Sequence, residues 1–469
     1  MKKTRYQGEI YKPLLIKEEV LIDYKIHQNI VNNNLKGVKK NYGIFFTPER
    51  IVDFMVNLIN LPEYPDRKTN ILEPACGLTQ FLIGIKRNKP ALFKQARLLG
   101  VEINQDVINY LTTLNVDNNI QIINDDYLQW NTRSSFDLII GNPPYGIPSP
   151  SEHYTIKIDL PTKNKYKSLY ETWYGKYNVY GAFIEKSIKL LKDKGQLIFI
   201  VPATFMILDE FKKLRGFLSQ NGGSAIIYLG PDVFKPEADV SSVILNFVKS
   251  KEFISRLELL EYRNNAFETI TTNSNWQGET VKFETKYTRM LEQCCSYSLG
   301  DIYEIRISPR TPEIKNNPRI IKEEKIFREN GYMPILNGRN LKYNEIIYNN
   351  LTGYWIKKTD AKKLRGYFNM PHIVVGLGFR GNGRIGASLD EKCYPWMGDV
   401  YHLLKRPNLF NINCDISDSL VVEYLNSDFI NRYVKDVYRE ITYHLSITQL
   451  KNLPLPIKKE WEKIRRCFR

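Results

Sequence analysis

Phe136-Asp137-Leu138-Ile139-Ile140-Gly141-Asn142-Pro143-Pro144-Tyr145-Gly146 is the stretch that decides the fold. A short, nearly continuous apolar run, Phe136–Ile140, enters a glycine and then a turn locked by two prolines. Such a run suits a strand covered on both faces. Six more runs of the same kind occur: Asn70–Leu72, Leu98–Val101, Ile120–Ile123, Leu197–Val201, Ala225–Leu229 and Val243–Val248. Helical stretches separate most of them. The clearest follows Thr47, which can N-cap, with Pro48 suited to the first helical position and Glu49 to the positive helix end. Ile51, Phe54, Met55, Leu58 and Ile59 then share one face. Another helix is expected around Ala182–Leu191. Seven strands alternating with helices predict a doubly wound α/β sheet, which binds ligands beyond the carboxyl ends of its strands.

The whole chain must accommodate more than that sheet. Its 469 residues suffice for two or three domains. Hydrophobic residues at 43% and charged residues at 25% exclude global disorder. With 67 Lys+Arg against 51 Asp+Glu the net charge is +16, which points to a polyanionic partner, nucleic acid first. Residues 271–469 hold 32 Lys+Arg against 22 Asp+Glu, more than half of that excess. The alternation of apolar runs and helices stops near residue 255, and the chain beyond is irregular and rich in Tyr, Asn and Arg. No apolar run is long enough to span a bilayer, and the basic start has no apolar stretch behind it, so neither a membrane nor a secretory signal is expected. The six cysteines form no CxxC pair and only five histidines occur, so no metal site and no disulfide framework is expected. Reduced thiols and a cytoplasmic setting follow.

The residues just after the strands carry the chemistry. After Leu72 comes Glu73-Pro74-Ala75-Cys76-Gly77, an acid and a small-residue turn that lets backbone approach a ligand. After Val101 comes Glu102, placed to accept two ribose hydroxyls. After Ile123 comes Asn124-Asp125-Asp126-Tyr127, an acid and an aromatic that could read and cover an adenine edge. Asn142-Pro143-Pro144-Tyr145 suits methylation of a planar amino nitrogen. The lone pair of such an amine is delocalised into the ring, so it needs acceptors for both N–H groups rather than a strong base. The Asn142 side-chain oxygen and the Pro143 carbonyl can be those acceptors, on a backbone that the prolines pre-organise. Tyr145 offers a flat face to a base taken out of a duplex. No metal enters this scheme.

With these motifs in this order, the sequence resembles the TaqI-type (gamma-class) N6-adenine DNA methyltransferases. The resemblance implies a Rossmann-like, seven-stranded, S-adenosylmethionine-dependent methyltransferase domain followed by a mixed α+β target-recognition domain. It begins at Phe46-Thr47-Pro48-Glu49-Arg50-Ile51-Val52, similar to the family's first cofactor motif, with Thr47 a contact of the methionine moiety. It implies that Glu73, Pro74, Ala75, Cys76 and Gly77 form the main cofactor loop, and that Glu102 binds the ribose. Asp126 and Tyr127 then meet the cofactor adenine, and Pro144 borders the cofactor. Asn142, Pro143 and Tyr145 become the catalytic residues. Thr172–Phe183 is similar to the segment entering the fifth motif, where Phe183 packs on the cofactor adenine. Val233-Phe234-Lys235-Pro236 is similar to the eighth motif, where Phe234 contacts the flipped base opposite Tyr145. The family usually has glycine where Thr79 stands, so slightly altered loop geometry rather than loss of binding is expected there, with cofactor affinity the property affected. The connection from Gly146 to Gly175, with its lysines and tyrosines, reads as a mobile segment over the active-site mouth that touches DNA backbone.

The expected division is a basic N-terminal extension (1–40), the catalytic domain (41–255), a linker (256–275) and a target-recognition domain (276–469). Pro334–Asn340 and Leu445–Pro456 are similar to such recognition domains. Arg339, Arg380 and Arg384 are candidate DNA contacts. Gly376-Leu377-Gly378-Phe379-Arg380-Gly381 matches GxGxxG, but a turn follows it where a dinucleotide site needs a helix. The expected activity is site-specific transfer of a methyl group to N6 of a flipped adenine in double-stranded DNA, within a prokaryotic restriction–modification system and associated with the nucleoid. No nuclease pattern is evident, so a separate cognate endonuclease is the expected genetic partner, and a monomer the expected state. Two alternatives stay open: an RNA or protein-glutamine methyltransferase of the same fold, and a non-catalytic DNA-binding protein with a degenerate methyltransferase domain.

Overall fold

The computed structural model describes residues 46–62, 67–113, 119–150, 156–235, 239–252, 255–263, 266–323, 331–376, 384–398, 400–407, 416–439, 441–442 and 444–467. The 1–40 extension and Arg380 lie outside them. The chain divides into two compact units between Lys282 and Phe283.

The first unit is built on one sheet of nine strands. In chain order these are β1 (Thr69–Pro74), β2 (Ala96–Glu102), β3 (Ile120–Asn124), β4 (Phe136–Gly141), β5 (Leu191–Pro202), β6 (Gly222–Gly230), β7 (Ser242–Lys249), β8 (Leu257–Arg263) and β9 (Ala266–Asn273). Their spatial order is β9-β8-β6-β7-β5-β4-β1-β2-β3. Strands β3, β2, β1, β4 and β5 are mutually parallel, and β7 runs antiparallel to β5 and β6. All seven apolar runs are strands of this sheet. Leu138, Ile139 and Ile140 have no exposed surface, as double-sided covering requires. The strand order reverses at β1, which lies between β2 and β4, with Leu72 beside Ile139. The loops after β1 and β4 therefore leave the sheet side by side, where this topology opens a crevice.

Strands β8 and β9 occupy the span read as a linker. Leu257 and Leu259 are buried while β9 is mostly exposed, and β8 pairs in parallel with β6. Charges interrupt this pair, so it lacks the continuous apolar signature of the central strands. Burial on one face only is the reason.

Helix α1 (Glu49–Asn57) begins after Pro48, and no side chain caps it. Thr47 is thus not the cap; its hydroxyl is used in the cleft described below. α1 packs on α2 (Gln80–Asn88) so closely that a Cβ on Gly84 would lie 2.6 Å from Val52 Cγ1. The connection after β4 contains α3 (Leu160–Leu169), whose N-cap Asp159 accepts from Thr162 N at 2.9 Å. α4 (Val179–Leu190) and α5 (Lys212–Asn221) follow.

The second unit contains a four-stranded antiparallel sheet, made of Tyr303–Ile307, Val400–Lys405, His372–Gly376 and Ala387–Asp390 in that spatial order. A three-stranded sheet, Ile320–Lys322, Tyr354–Lys357 and Tyr332–Pro334, accompanies it. Its core holds a polar relay. His372 Nδ1 donates to the Met370 carbonyl, so His372 Nε2 accepts from His402 Nδ1, and His402 Nε2 accepts from Ser308 Oγ, each at 2.8 Å. Burial pushes His402 down to about 3, which keeps this relay neutral. No described helix is long and apolar enough to cross a membrane.

Candidate active site

A cleft lies at the carboxyl ends of β1 to β4. Its floor is the loop after β1. Ala75, Gly77 and Thr79 all take left-handed backbone, with φ of 50°, 50° and 57°. For alanine and threonine that costs on the order of 1 kcal/mol each. The loop is held down by Glu73, whose carboxylate accepts from Phe81 N (3.3 Å) and Leu82 N (3.0 Å) in the first turn of α2. No side chain at the helix start caps α2, so Glu73 takes that work. Burial pushes the Glu73 carboxyl up to about 8. Cys76 N donates to Val101 O at 3.0 Å, and its Sγ lies 2.7 Å from where a Cβ on Gly100 would sit. Gly100 is thus needed for the loop to lie against β2. A Cβ on Gly77 would meet nothing within 4 Å. Thr79 does not narrow the cleft: it is 1% exposed and absent from the lining. Its backbone keeps the conformation a glycine would take.

Glu102, at the end of β2, accepts from Gly77 N and Asn104 N, both at 2.9 Å. Burial raises its carboxyl above the usual range. Asp126 accepts from Leu128 N at Oδ1 (3.0 Å), and from Gln129 Nε2 (2.6 Å) and the Tyr166 hydroxyl (2.8 Å) at Oδ2. Tyr127 and Phe183 form an aromatic wall, ring centroids 5.0 Å apart, and the Tyr127 hydroxyl bonds with Ser187 Oγ at 2.8 Å. Lys186 Nζ lies 5.0 Å over the Tyr127 ring. Asn142, after β4, donates from Nδ2 to Thr47 Oγ1 at 3.0 Å. In this orientation the amide oxygen is the end turned away from Thr47. Tyr145 donates to Ile200 O at 2.9 Å and meets Tyr180 and Phe234 edge-on, at 6.2 and 5.9 Å.

The cleft thus gathers Thr47, Glu73, Ala75, Cys76, Gly77, Glu102, Asp126, Tyr127, Asn142, Pro143, Pro144 and Phe183. Three sequence candidates do not line it. Pro74 is tucked beside Gly141, and Tyr145 and Phe234 are buried against each other behind the turn. Sequence reading missed Ile103 and Val107, which also line it, as do Lys157 and Tyr166 of the connection read as lying over the active-site mouth. Ile103, 48% exposed beside Glu102, could have been noticed as an apolar residue directly after the acid. Tyr166 carries no such local signal.

In the second unit, Arg339 donates from Nη2 to Leu351 O. Arg384 donates from Nη2 to Asn426 O (2.9 Å) and pairs through Nη1 with Asp428 (2.6 Å). Arg384→Ala is therefore expected to cost about 1 kcal/mol, because Asp428 is exposed and only the carbonyl bond is sheltered. A Tm lowered by a few degrees in the absence of DNA checks this.

Comparison with known proteins adds to this geometry. Residues 68–234 match a family described as Eco57I restriction-modification methylase, and residues 333–455 match one described as TaqI-like C-terminal specificity domain. The chain is 38% identical over 432 residues to the Type II methyltransferase M.TthHB8I of Thermus thermophilus, covering 90% of this chain and 94% of that protein. It is 24% identical to the modification methylase CviBIII of Paramecium bursaria Chlorella virus NC1A, covering 90% and 95%. The fold is similar to that of DrdV in its DNA complex, with TM-score 0.56, 13% identity, and coverage of 94% of this chain and 59% of the other. It is similar also to the Type ISP enzyme LlaGI, with TM-score 0.56, 15% identity, and coverage of 94% and 56%.

Proposed function

The chain belongs to the Type II methyltransferases of restriction–modification systems, a methylase followed by a TaqI-like specificity domain, and on that premise we propose that it methylates adenine at N6 in a short double-stranded DNA site. The observation that carries the adenine reading is Asn142 in the cleft, its amide held by Thr47 Oγ1 and followed by Pro143-Pro144.

S-adenosylmethionine is the cofactor, and when bound it supplies a sulfonium methyl carbon open to attack by nitrogen. The residues present fit it. The open space beside Gly77 lets backbone approach closely, and Glu102 keeps acceptor capacity toward ribose hydroxyls. Tyr127, Phe183 and Ile103 offer apolar surface to an adenine ring, with Asp126 as acceptor for its amino group. Thr47 and Pro144 border the methionine side.

Asn142 Oδ1 and the Pro143 carbonyl accept the two N–H groups of the target amine. Those bonds draw the nitrogen out of conjugation with the ring and aim its lone pair. The acceptors are fixed before the base arrives, by Thr47 on one side and the two prolines on the other, so little reorganisation accompanies the reaction. Tyr145 and Phe234 stack on the flipped base. Because they touch edge to face at 5.9 Å, a base entering between them must part the rings. The specificity domain reads the duplex, with Arg339, Arg380 and Arg384 as candidate contacts. A separate endonuclease is the genetic partner, and one chain suffices to act.

The reading is tested by expressing the chain in a host lacking adenine methylation and sequencing its DNA with a method that reports N6-methyladenine. Methylation of one adenine in one short motif is expected. An unmodified genome in cells holding folded, cofactor-binding protein would redirect the assignment to RNA or protein substrates.

A further inference from the structure

The described part of the connection between Gly146 and Gly175 contains α3, which is largely polar and carries Lys163, Lys165 and Lys167. Two phenols tie it to the loop after β3. Tyr166, 5% exposed, donates to Asp126 Oδ2 at 2.8 Å, and Tyr170 donates to Leu128 O. Beyond the helix, Glu171 N and Thr172 N donate to the buried Glu185 of α4 at 3.2 and 2.9 Å. The two phenols differ in one respect: Tyr166 lines the cofactor cleft, as do Ile156 and Ile158 before it, whereas Tyr170 does not.

Tyr166 therefore acts on the acceptor itself. Asp126 has one oxygen committed to Leu128 N, and its other oxygen takes Gln129 and Tyr166. A carboxylate has about four acceptor sites, two on each oxygen, so one direction remains, on Oδ1. The phenol thus sets the rotamer of Asp126 and limits what a ligand can offer there to a donor at one remaining direction. We propose that Tyr166 is a positioning residue for the cofactor's base, holding Asp126 so that the site selects a purine bearing an amino group over one bearing a keto group. This rests on the reading that the adenine of S-adenosylmethionine lies beside Asp126.

Calorimetric titration of the full chain with S-adenosylhomocysteine and with its inosine counterpart tests this, together with kcat and KM for S-adenosylmethionine. Tyr166→Phe keeps the ring and removes only the hydroxyl. It should raise Kd and KM for the adenosyl ligands about tenfold, leave kcat within about twofold, and shrink the preference over the inosyl ligand by a similar factor. Tyr170→Phe removes the other anchor of the same helix. It should lower Tm while leaving that preference intact. An unchanged preference in Tyr166→Phe, or an equal loss in both variants, overturns the role of the hydroxyl. Asp126→Ala separates this from failure of the underlying reading: unchanged affinity for S-adenosylhomocysteine in that variant would mean that the adenine does not lie beside Asp126.

Discussion

Replacing Asn142 with alanine is expected to lower kcat for DNA methylation by about 10³-fold or more, with cofactor affinity and DNA affinity within a few-fold of the parent. The size follows from what is removed. Asn142 supplies one of two pre-organised acceptors for the reacting amine, and loss of one such group in a desolvated site typically costs 10²–10³ in rate. Here the same amide holds the target nitrogen in position as well, so loss of orientation adds to loss of electrostatics. The variant should fold, because the substitution lies just beyond β4 and leaves that strand's backbone pairing with β1 and β5 in place. Transfer of labelled methyl groups to a cognate duplex gives the rate, and a gel-shift titration gives DNA binding. A rate within tenfold of the parent would remove Asn142 from the chemistry. Lost DNA binding in a folded variant would move its role to recognition.

The second large effect is expected at Glu102. Its carboxylate holds Gly77 N and Asn104 N at 2.9 Å while facing the cleft. Glu102→Ala leaves both N–H groups without that partner and removes the acceptor for the ribose. Hydrogen bonds to a charged group are worth about 1.5–3 kcal/mol each, so S-adenosylmethionine affinity should fall by about 10² or more, with a lower Tm for the unliganded protein. Glu102→Gln retains one acceptor and should fall between the two. The pH dependence has a definite sign. Burial raises the Glu102 carboxyl above the ordinary value. It therefore takes up a proton at a higher pH than an exposed glutamate does, and cofactor affinity should weaken on acidification sooner than an exposed carboxylate would allow. Equilibrium binding of S-adenosylmethionine across the acid range checks both points. Parent-like affinity in Glu102→Ala would place the ribose elsewhere.

Much of this site was legible before any tertiary contact was known. Glu73, Glu102, Asp126 and Asn142 each follow an apolar run, and in a parallel sheet every strand end of this kind faces the same edge. What each acid does there was not legible. Glu73 is spent on the first turn of α2, because no side chain at the helix start caps that helix. Thr47 reads as a helix cap from its neighbours, yet its hydroxyl serves an amide 95 residues away. Thr79 reads as a side chain that alters the loop where the family has glycine; it adopts the left-handed backbone a glycine would take and stays out of the cleft. Tyr166 looks like one tyrosine among several in a lysine-rich connection, and it lines the cleft only because α3 returns over the loop after β3.

The sequence alone determined the seven central strands, the cleft's position at their carboxyl ends, and the motif order that resembles a methyltransferase. Apolar periodicity, proline and glycine placement, and the residues next to a strand end act over a few positions, so they survive in a linear reading. Only the tertiary structure decided which donor each carboxylate and amide takes, that β8 and β9 extend the sheet, and that Arg384 is engaged by Asn426 and Asp428. Those outcomes depend on crossings that bring residues 40 to 95 positions apart within 3 Å, and a hydrogen bond goes to whichever partner the packing places in range.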